Sequence, residues 1–245
     1  MGGLGTVRIG TSGWMYKDWR GIFYPQNLPT REWLSYYMQH FDTVEVNNTF
    51  YHLPLSQTFD RWREIAPAGF LYAVKASRLI THYRKLEDVA EPLQNLLERA
   101  RRLGPHLGPM LYQLPPRWPC NLSRLREFLA LLPTGLEHVF EFRDPSWCCM
   151  EVRDLLTERG IGFCIHDLHG FECPLWVTGS VAYIRFHGPG QARYTGRYDM
   201  ESLQIWAERI DAYRRGGCCV YAYFNNDYAG HAITNARELR GLLEG

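Results

Sequence analysis

The chain has 245 residues, 46% of them hydrophobic, which is enough for a sizeable core within one α/β domain spanning 1–245. Its formal net charge of +1 excludes any bulk electrostatic case for nucleic acid or an anionic membrane. The seven cysteines form no C-x-x-C motif, and the adjacent pairs Cys148–Cys149 and Cys218–Cys219 suit a disulfide poorly, so they read as reduced thiols of a cytoplasmic protein.

No apolar run is long enough to span a membrane, and no secretory segment is present. The opening Met1-Gly2-Gly3-Leu4-Gly5-Thr6 fits a loose myristoylation pattern. With a first strand predicted from Val7 it leaves no flexible arm, and it reads as a glycine-rich start.

In chain order, the first strand is predicted at Val7–Ser12, with Trp14, Tyr16 and Trp19 behind it. Thr30 is read as the cap of a helix over Arg31–His40. Strand two, Thr43–Asn47, alternates: Val44 and Val46 share one face, Glu45 and Asn47 the other. Phe50 and Tyr51 follow it. Ser56 opens a helix over Gln57–Ala66, which stops before Pro67. Strand three, Phe70–Lys75, sets Ala73 and Lys75 against Tyr72 and Val74.

A long helical pattern, Leu86–Leu103, ends at Gly104, and its Arg99, Arg101 and Arg102 read as a solvated face. Strand four, Met110–Leu114, carries Gln113, and a helix runs from Ser123 to Leu132. Strand five, His138–Arg143, turns Glu141 and Arg143 away from Phe140 and Phe142, and a helix over Glu151–Arg159 ends at Gly160.

Strand six, Gly162–Asp167, ends in His166-Asp167, and the stretch Leu168–Gly179 after it lacks a helix. Strand seven, Val181–His187, alternates Tyr183, Arg185 and His187 with Ile184 and Phe186. The following loop, Gly188–Tyr198, with Gly190, Arg193, Tyr194 and Gly196, suits a mobile lid. Asp199 caps a helix over Met200–Arg214. Strand eight, Cys219–Asn225, alternates Tyr221, Tyr223 and Asn225 with Ala222 and Phe224. Thr234 or Asn235 opens a last helix through Leu243.

Strands alternating with helices predict a parallel sheet covered by helices, and eight such units in this length predict a TIM-type (β/α)8 barrel. An open doubly wound sheet competes. It would carry G-x-G-x-x-G after strand one, where Gly10-Thr11-Ser12-Gly13-Trp14 stands.

In a barrel, function sits at the C-terminal strand ends. There the apolar alternates face the helices, and an unusually charged set faces the axis: Glu45, Lys75, Gln113, Glu141, Arg143, Asp167, Arg185 and His187. Burying unpaired charges is costly, so these residues pair with one another or bind something. The bland alternative is an internal salt-bridge network, such as Glu141 with Lys75 or Arg185. As a set, they point to a ligand site.

Three cations among the carboxylates weaken a divalent-metal reading and suit a small anionic or polar ligand. In that reading Arg143, Arg185 and Lys75 hold the anion. Glu45, Lys75, Glu141 and His187 are the catalytic candidates. Trp14, Asn47, Gln113, Asp167 and the triplet Asn225-Asn226-Asp227 join the arginines in ligand binding. Asn226, on the opposite face of its strand, alternatively ties the strand end to the next turn. Asp227 reads as helix cap, ion-pair partner or catalytic carboxylate. Lys75, desolvated beside arginines, is also a candidate Schiff-base amine.

No cofactor is predicted. The alternatives are a divalent-metal hydrolase, isomerase or nuclease using Glu45, Glu141, Asp167, His187 and Asp227, and a non-catalytic binding barrel. Nucleic acid is not favoured as a partner, and the oligomeric state is not legible.

The motifs "GTSGWMYKDWRGIFYP" (10–25), "FDTVEVNNTFYHLP" (41–54), "YAVKAS" (72–77), "ITH" (80–82), "LYQLPP" (111–116), "EFRDPSW" (141–147), "YIRFHG" (183–188) and "YFNNDYAGHAITNA" (223–236) stand in this order along nearly the whole chain. In them the sequence resembles the domain-of-unknown-function family 72, the YecE-like family. The resemblance implies a TIM-type barrel and no established reaction. The architecture is distantly similar to barrels that include sugar isomerases and metal-dependent apurinic endonucleases, a likeness of fold alone. After Glu-Phe-Arg the family usually has His. Asp144 stands there in this chain, so no role of that histidine carries over.

Overall fold

The two-residue alternation of eight short runs builds a single barrel sheet. A computed structural model describes residues 3–190, 192 and 194–244. Met1 and Gly2 of the opening hexapeptide, and Arg193 of the predicted lid, lie outside the described residues. The strands are β1 (Val7–Thr11), β2 (Thr43–Val46), β3 (Leu71–Lys75), β4 (Leu107–Gln113), β5 (His138–Glu141), β6 (Gly162–His166), β7 (Val181–Phe186) and β8 (Cys219–Phe224). They hydrogen-bond in the order β1-β8-β7-β6-β5-β4-β3-β2, and every pairing is parallel.

The helices are α1 (Trp33–Tyr37), α2 (Asn48–Tyr51), α3 (Ser56–Ile65), α4 (Ala90–Arg101), α5 (Leu122–Leu129), α6 (Met150–Glu158), α7 (Met200–Arg215) and α8 (His231–Glu244). Each longer helix turns an apolar stripe inward, as α4 does with Leu93, Leu96, Leu97 and Ala100. Among the described residues no helix stands between β6 and β7, as predicted. The architecture is the TIM-type barrel.

The β1–β2 seam closes the barrel without a ladder of its own. Gly10 permits the close approach, since a Cβ there would meet the Thr43 carbonyl oxygen at 2.3 Å. The Tyr37 hydroxyl from α1 fills the gap. It accepts from the Thr11 N–H at 2.9 Å and donates to the Thr43 carbonyl at 3.1 Å. Tyr37→Phe is therefore expected to strand two buried backbone groups and to lower stability by about 1–3 kcal/mol in denaturant titration. An unchanged midpoint would show that the seam closes without this hydroxyl.

Several predicted ends move. The first helix shortens to α1, because Thr30–Glu32 forms a 3-10 turn with no side-chain cap. Helix α4 starts at Ala90, not Leu86, since Lys85, Leu86 and Asp88 have left-handed backbone angles that no α-helix accepts. Helix α5 runs from Leu122 to Leu129 rather than from Ser123 to Leu132, and Asn121 caps it, accepting from the Arg124 N–H at 3.0 Å. Asp199 caps α7 as predicted, accepting from the Ser202 N–H at 2.8 Å.

The last helix opens at His231, so Thr234 and Asn235 are interior to it. The Asn235 side chain instead bonds the backbone of Tyr198 and the amide of Asn226.

Two cores result. The larger lies between strands and helices and takes the outward alternates, such as Val44, Val46, Phe140 and Phe142. The smaller fills the lower barrel interior with Ala73, Leu111, Val139, Cys164, Tyr183, Tyr221 and Tyr223 among others. Above that second core the axis-facing residues become polar.

Candidate functional site

Register brings the polar alternates to similar heights. Gln113 stands beside Glu141, and Arg185 stands between His166 and Tyr223. Arg185, 1% exposed, is the hub. Its Nη1 donates to Glu141 Oε2 at 2.6 Å, and its Nη2 donates to Glu45 Oε1 at 2.7 Å. Glu45 also accepts from the Ser12 hydroxyl at 2.8 Å, the Asn47 amide at 3.1 Å and the Tyr183 hydroxyl at 2.6 Å. Arg143 donates through Nε to Glu141, and its Nη2 lies 3.0 Å from His187 Nε2.

Two carboxylates thus meet two guanidiniums in a closed, charge-balanced layer. Burial pushes the Glu141 carboxyl up, but Arg143 and Arg185 overcome it and hold the group well below the usual range. Glu45 is lowered in the same way, with burial opposed by Arg185 and Lys75. Burial and the two arginines keep His187 neutral, against the pull of Glu141. An arginine has no lone pair, so His187 Nε2 is the accepting nitrogen. Its Nδ1 lies 3.2 Å from the Asn225 amide nitrogen.

Over this layer opens a pocket of about 310 Å³, lined by Tyr16, Asn47, Phe50, Tyr51, Lys75, Arg185, Tyr194, Asn225 and Asp227. The loops after β1, β2, β7 and β8 supply most of the lining, and Lys75 ends β3. The Thr49 hydroxyl pins α2 over the Lys75 carbonyl at 2.7 Å, which sets Phe50 on the lysine. Lys75 Nζ lies 4.5 Å from the Phe50 ring centre. Among the described residues it forms no ion pair, because Glu45 and Glu141 are engaged by the arginines. Burial and then Arg185 push its amine down to about 7.

Asp227 faces the same space. Its Oδ1 is enclosed without a hydrogen-bond partner, and its side chain caps no helix. Burial pushes its carboxyl up to about 8, against the lowering effect of the Tyr16 hydroxyl and Arg185. Asn47 Oδ1 is likewise buried and unpartnered. Larger hollows of about 500 and 480 Å³ lie elsewhere. In the first of them Arg8, Arg214 and Arg240 are already ion-paired. Among the described residues, unpaired titrating groups converge in the strand-end pocket.

The predicted residues divide accordingly. Lys75, Asn47, Arg185, Asn225 and Asp227 line the pocket. Glu45, Glu141, Arg143 and His187 lie in the layer beneath, where the carboxylates bond to protein donors. The expectation that Arg143 and Arg185 hold an anion is revised, because both guanidiniums already bond to Glu141 and Glu45. Of the predicted internal pairs, Glu141 with Arg185 forms and Glu141 with Lys75 does not.

Three positions need correction. Trp14 turns away and packs edge-on against Trp62, 5.6 Å between ring centres, because its loop folds toward α3. Asn226 faces outward and donates to the Gly196 carbonyl at 2.9 Å and to Asn235 at 3.0 Å, which ties the strand end to the β7 loop. Asp167 is off the axis. It accepts from the His187 N–H at 2.7 Å and from the Tyr198 hydroxyl. The axial residue of β6 is His166, whose Nε2 donates to the Phe142 carbonyl at 2.9 Å. Gln113 is axial but bonds the Leu114 carbonyl at 3.1 Å.

Ser12 joins the layer from outside the expected set, although it sits two residues from Gly10, and Tyr183, expected on the axial face without a site role, bonds Glu45. The loop after β7 is fastened at both ends: Gly188 N–H donates to the Tyr198 hydroxyl and Gly190 N–H to the Thr195 carbonyl. Tyr194 from that loop walls the pocket.

Among the described residues no group of three or more His, Cys, Asp and Glu is arranged to hold a metal ion. All seven cysteines are free. No described helix is long and apolar enough to cross a membrane.

A family model described as "Protein of unknown function DUF72" matches residues 8–245. The chain belongs to the DUF72 family. The UPF0759 protein YunF of Bacillus subtilis is 24% identical across 97% of this chain and 95% of its own length. The UPF0759 protein YecE of Escherichia coli K12 is 28% identical over 63% of this chain and 55% of its own. A DUF72 family protein from Thermotoga maritima shares the fold at a TM-score of 0.88 and 30% identity, covering 98% of this chain and 100% of that one. A D-psicose 3-epimerase from Clostridium cellulolyticum, at 13% identity and a TM-score of 0.54 over 97% of each chain, shares the barrel fold alone.

Proposed function

We propose that this DUF72 barrel is an enzyme that converts a small polar metabolite in the strand-end pocket without a metal ion. One observation carries the reading. An unpaired amine, on Lys75, and a carboxyl outside any ion pair, on Asp227, line the same cavity above a closed ionic layer. Groups shifted toward neutrality are suited to giving and taking protons at working pH. Lys75 is the cation left to meet an anionic substituent on the ligand. Asn47 and Asn225 supply amides to orient it. The Glu45–Arg185–Glu141–Arg143 layer holds these groups in place.

The metal-free reading rests on the donor set. Glu45 and Glu141 would have to leave their arginines before they could bind a cation. The chain, purified without phosphate or sulfate, should be screened by thermal shift against small carboxylates, sugars and sugar phosphates. A ligand is expected whose stabilising effect falls at least tenfold in apparent affinity in Asn47→Ala and Asn225→Ala. Binding untouched by both changes would place the ligand elsewhere. Stoichiometric zinc, manganese or iron by elemental analysis would overturn the metal-free reading.

A further inference from the structure

We infer that Lys75 is a covalent nucleophile, and that the substrate class is a small hydroxylated or carboxylated aldehyde or ketone held as an imine on its Nζ. This rests on the pocket reading above and deepens it.

The geometry has three parts. First, among the described residues the amine has no ion-pair partner, because Glu45 and Glu141 are both taken. Arg185 bridges Glu45 and Glu141, Arg143 holds Glu141, and Ser12 and Tyr183 complete Glu45. A lysine kept only as a cation would be expected to have one of them. Second, the Phe50 ring, 4.5 Å away, occupies one side of Nζ and excludes water there, while the other side opens into the pocket. An amine shielded on one side and open on the other has its lone pair available in one direction. Third, Asp227 lines the same pocket, and among the described residues its carboxyl forms no ion pair, which leaves it to exchange a proton with a ligand oxygen.

The chemistry balances with these two groups. The neutral amine attacks the carbonyl carbon and a C–N bond forms. The C=O π pair moves to the oxygen, which takes the proton of Asp227. The new ammonium returns a proton to the Asp227 carboxylate. The nitrogen lone pair then expels the hydroxyl, which leaves as water with that same proton. The products are an iminium on Lys75, a carboxylate on Asp227 and one water. No oxidant, reductant or metal is needed. The imine then acts as an electron sink for the carbon next to it.

The chain has only three lysines, Lys17, Lys75 and Lys85, and the outer two are exposed. This supplies an internal control. The full chain should be incubated with glycolaldehyde, glyceraldehyde, dihydroxyacetone or pyruvate in the presence of cyanoborohydride, then digested and mapped by mass. At least one carbonyl is expected to be fixed on Lys75 ten times faster than on Lys17 or Lys85. In Asp227→Asn that rate is expected to fall about tenfold, while labelling of the exposed lysines stays constant.

Lys75→Arg, which keeps the charge and cannot form an imine, separates the two levels of the reading. If the variant still binds a ligand and the parent traps nothing at Lys75, the pocket stands and the nucleophile falls. If Lys75 is labelled no faster than Lys17 and Lys85 with all four carbonyls, the inference is overturned. If, in addition, no thermal-shift ligand is found, the pocket reading falls with it.

Discussion

An Arg185→Met variant is expected to lose about 3–5 kcal/mol of stability at neutral pH, the cost of stranding buried charge. The residue joins two fully buried carboxylates, Glu45 and Glu141, through separate Nη atoms. Removing it leaves Glu45 with hydroxyl and amide donors and no adjacent ion pair, and leaves Glu141 with Arg143. Methionine fills much of the volume, so the loss is electrostatic more than a cavity effect. The pH dependence identifies the cause. In the parent, both carboxyls are held below their ordinary value of 4.5, so their contribution is present above that value and lost as pH falls through the folded one. In the variant the carboxyl left without its ion pair is expected to rise. The gap between parent and variant is therefore widest at neutral pH and narrows as acid neutralises the group. Urea titrations at several pH values check this. A loss below about 1 kcal/mol, or a gap that does not vary with pH, would show that the layer is not held by this ion pair.

How much of this was legible without coordinates follows from the physics of strands. Alternation has a period of two whatever the tertiary contacts. Hence Glu45 with Asn47, Glu141 with Arg143, and Arg185 with His187 could be placed on one face from their spacing, and the structure puts all six inside the barrel mouth. Periodicity does not say which charges meet. Arg185 reaches Glu45 across 140 positions of sequence, and only the closed barrel sets that distance. For the same reason the split between a saturated layer and a reactive pocket was out of reach. Lys75 and Arg143 look alike as cations on strand ends, and differ because one has a carboxylate partner and the other does not.

Asp227 was ambiguous in the sequence because cap, ion pair and free carboxylate need the same local residues. The structure leaves its side chain without a capping bond or an ion pair. Asn235 failed as a helix opener because its tertiary bonds to Tyr198 and Asn226 outweigh a local capping preference. Tyr37, read only as part of a helix, closes the seam through a hydroxyl whose partners lie on two different strands.

The Lys75→Met variant tests the opposite sign. It should be more stable than the parent. Burial and Arg185 move the amine from its ordinary 10.5 to about 7. A lysine depressed on folding destabilises the native state wherever the unfolded chain is protonated and the folded one is not readily so. Its penalty is absent above 10.5, grows as pH falls, and is complete once pH drops below about 7. Methionine matches the length of the lysine stem, keeps the contact with Phe50 and removes the charge. At pH 7 the gain is expected to be on the order of 3 kcal/mol, or roughly 6–10 °C in Tm for a chain of this size. Going from pH 7 to pH 10 the parent should gain on the variant, because the amine penalty fades only where the amine exists. Calorimetry across that range reads both effects. A variant less stable than the parent at pH 7 would mean that Lys75 is held by attraction to Glu45 and Glu141 rather than strained against burial. The amine would then be a structural cation of the ionic layer. Stability gained at the expense of activity is the pattern expected where a fold holds a group in a state that serves chemistry and not the fold.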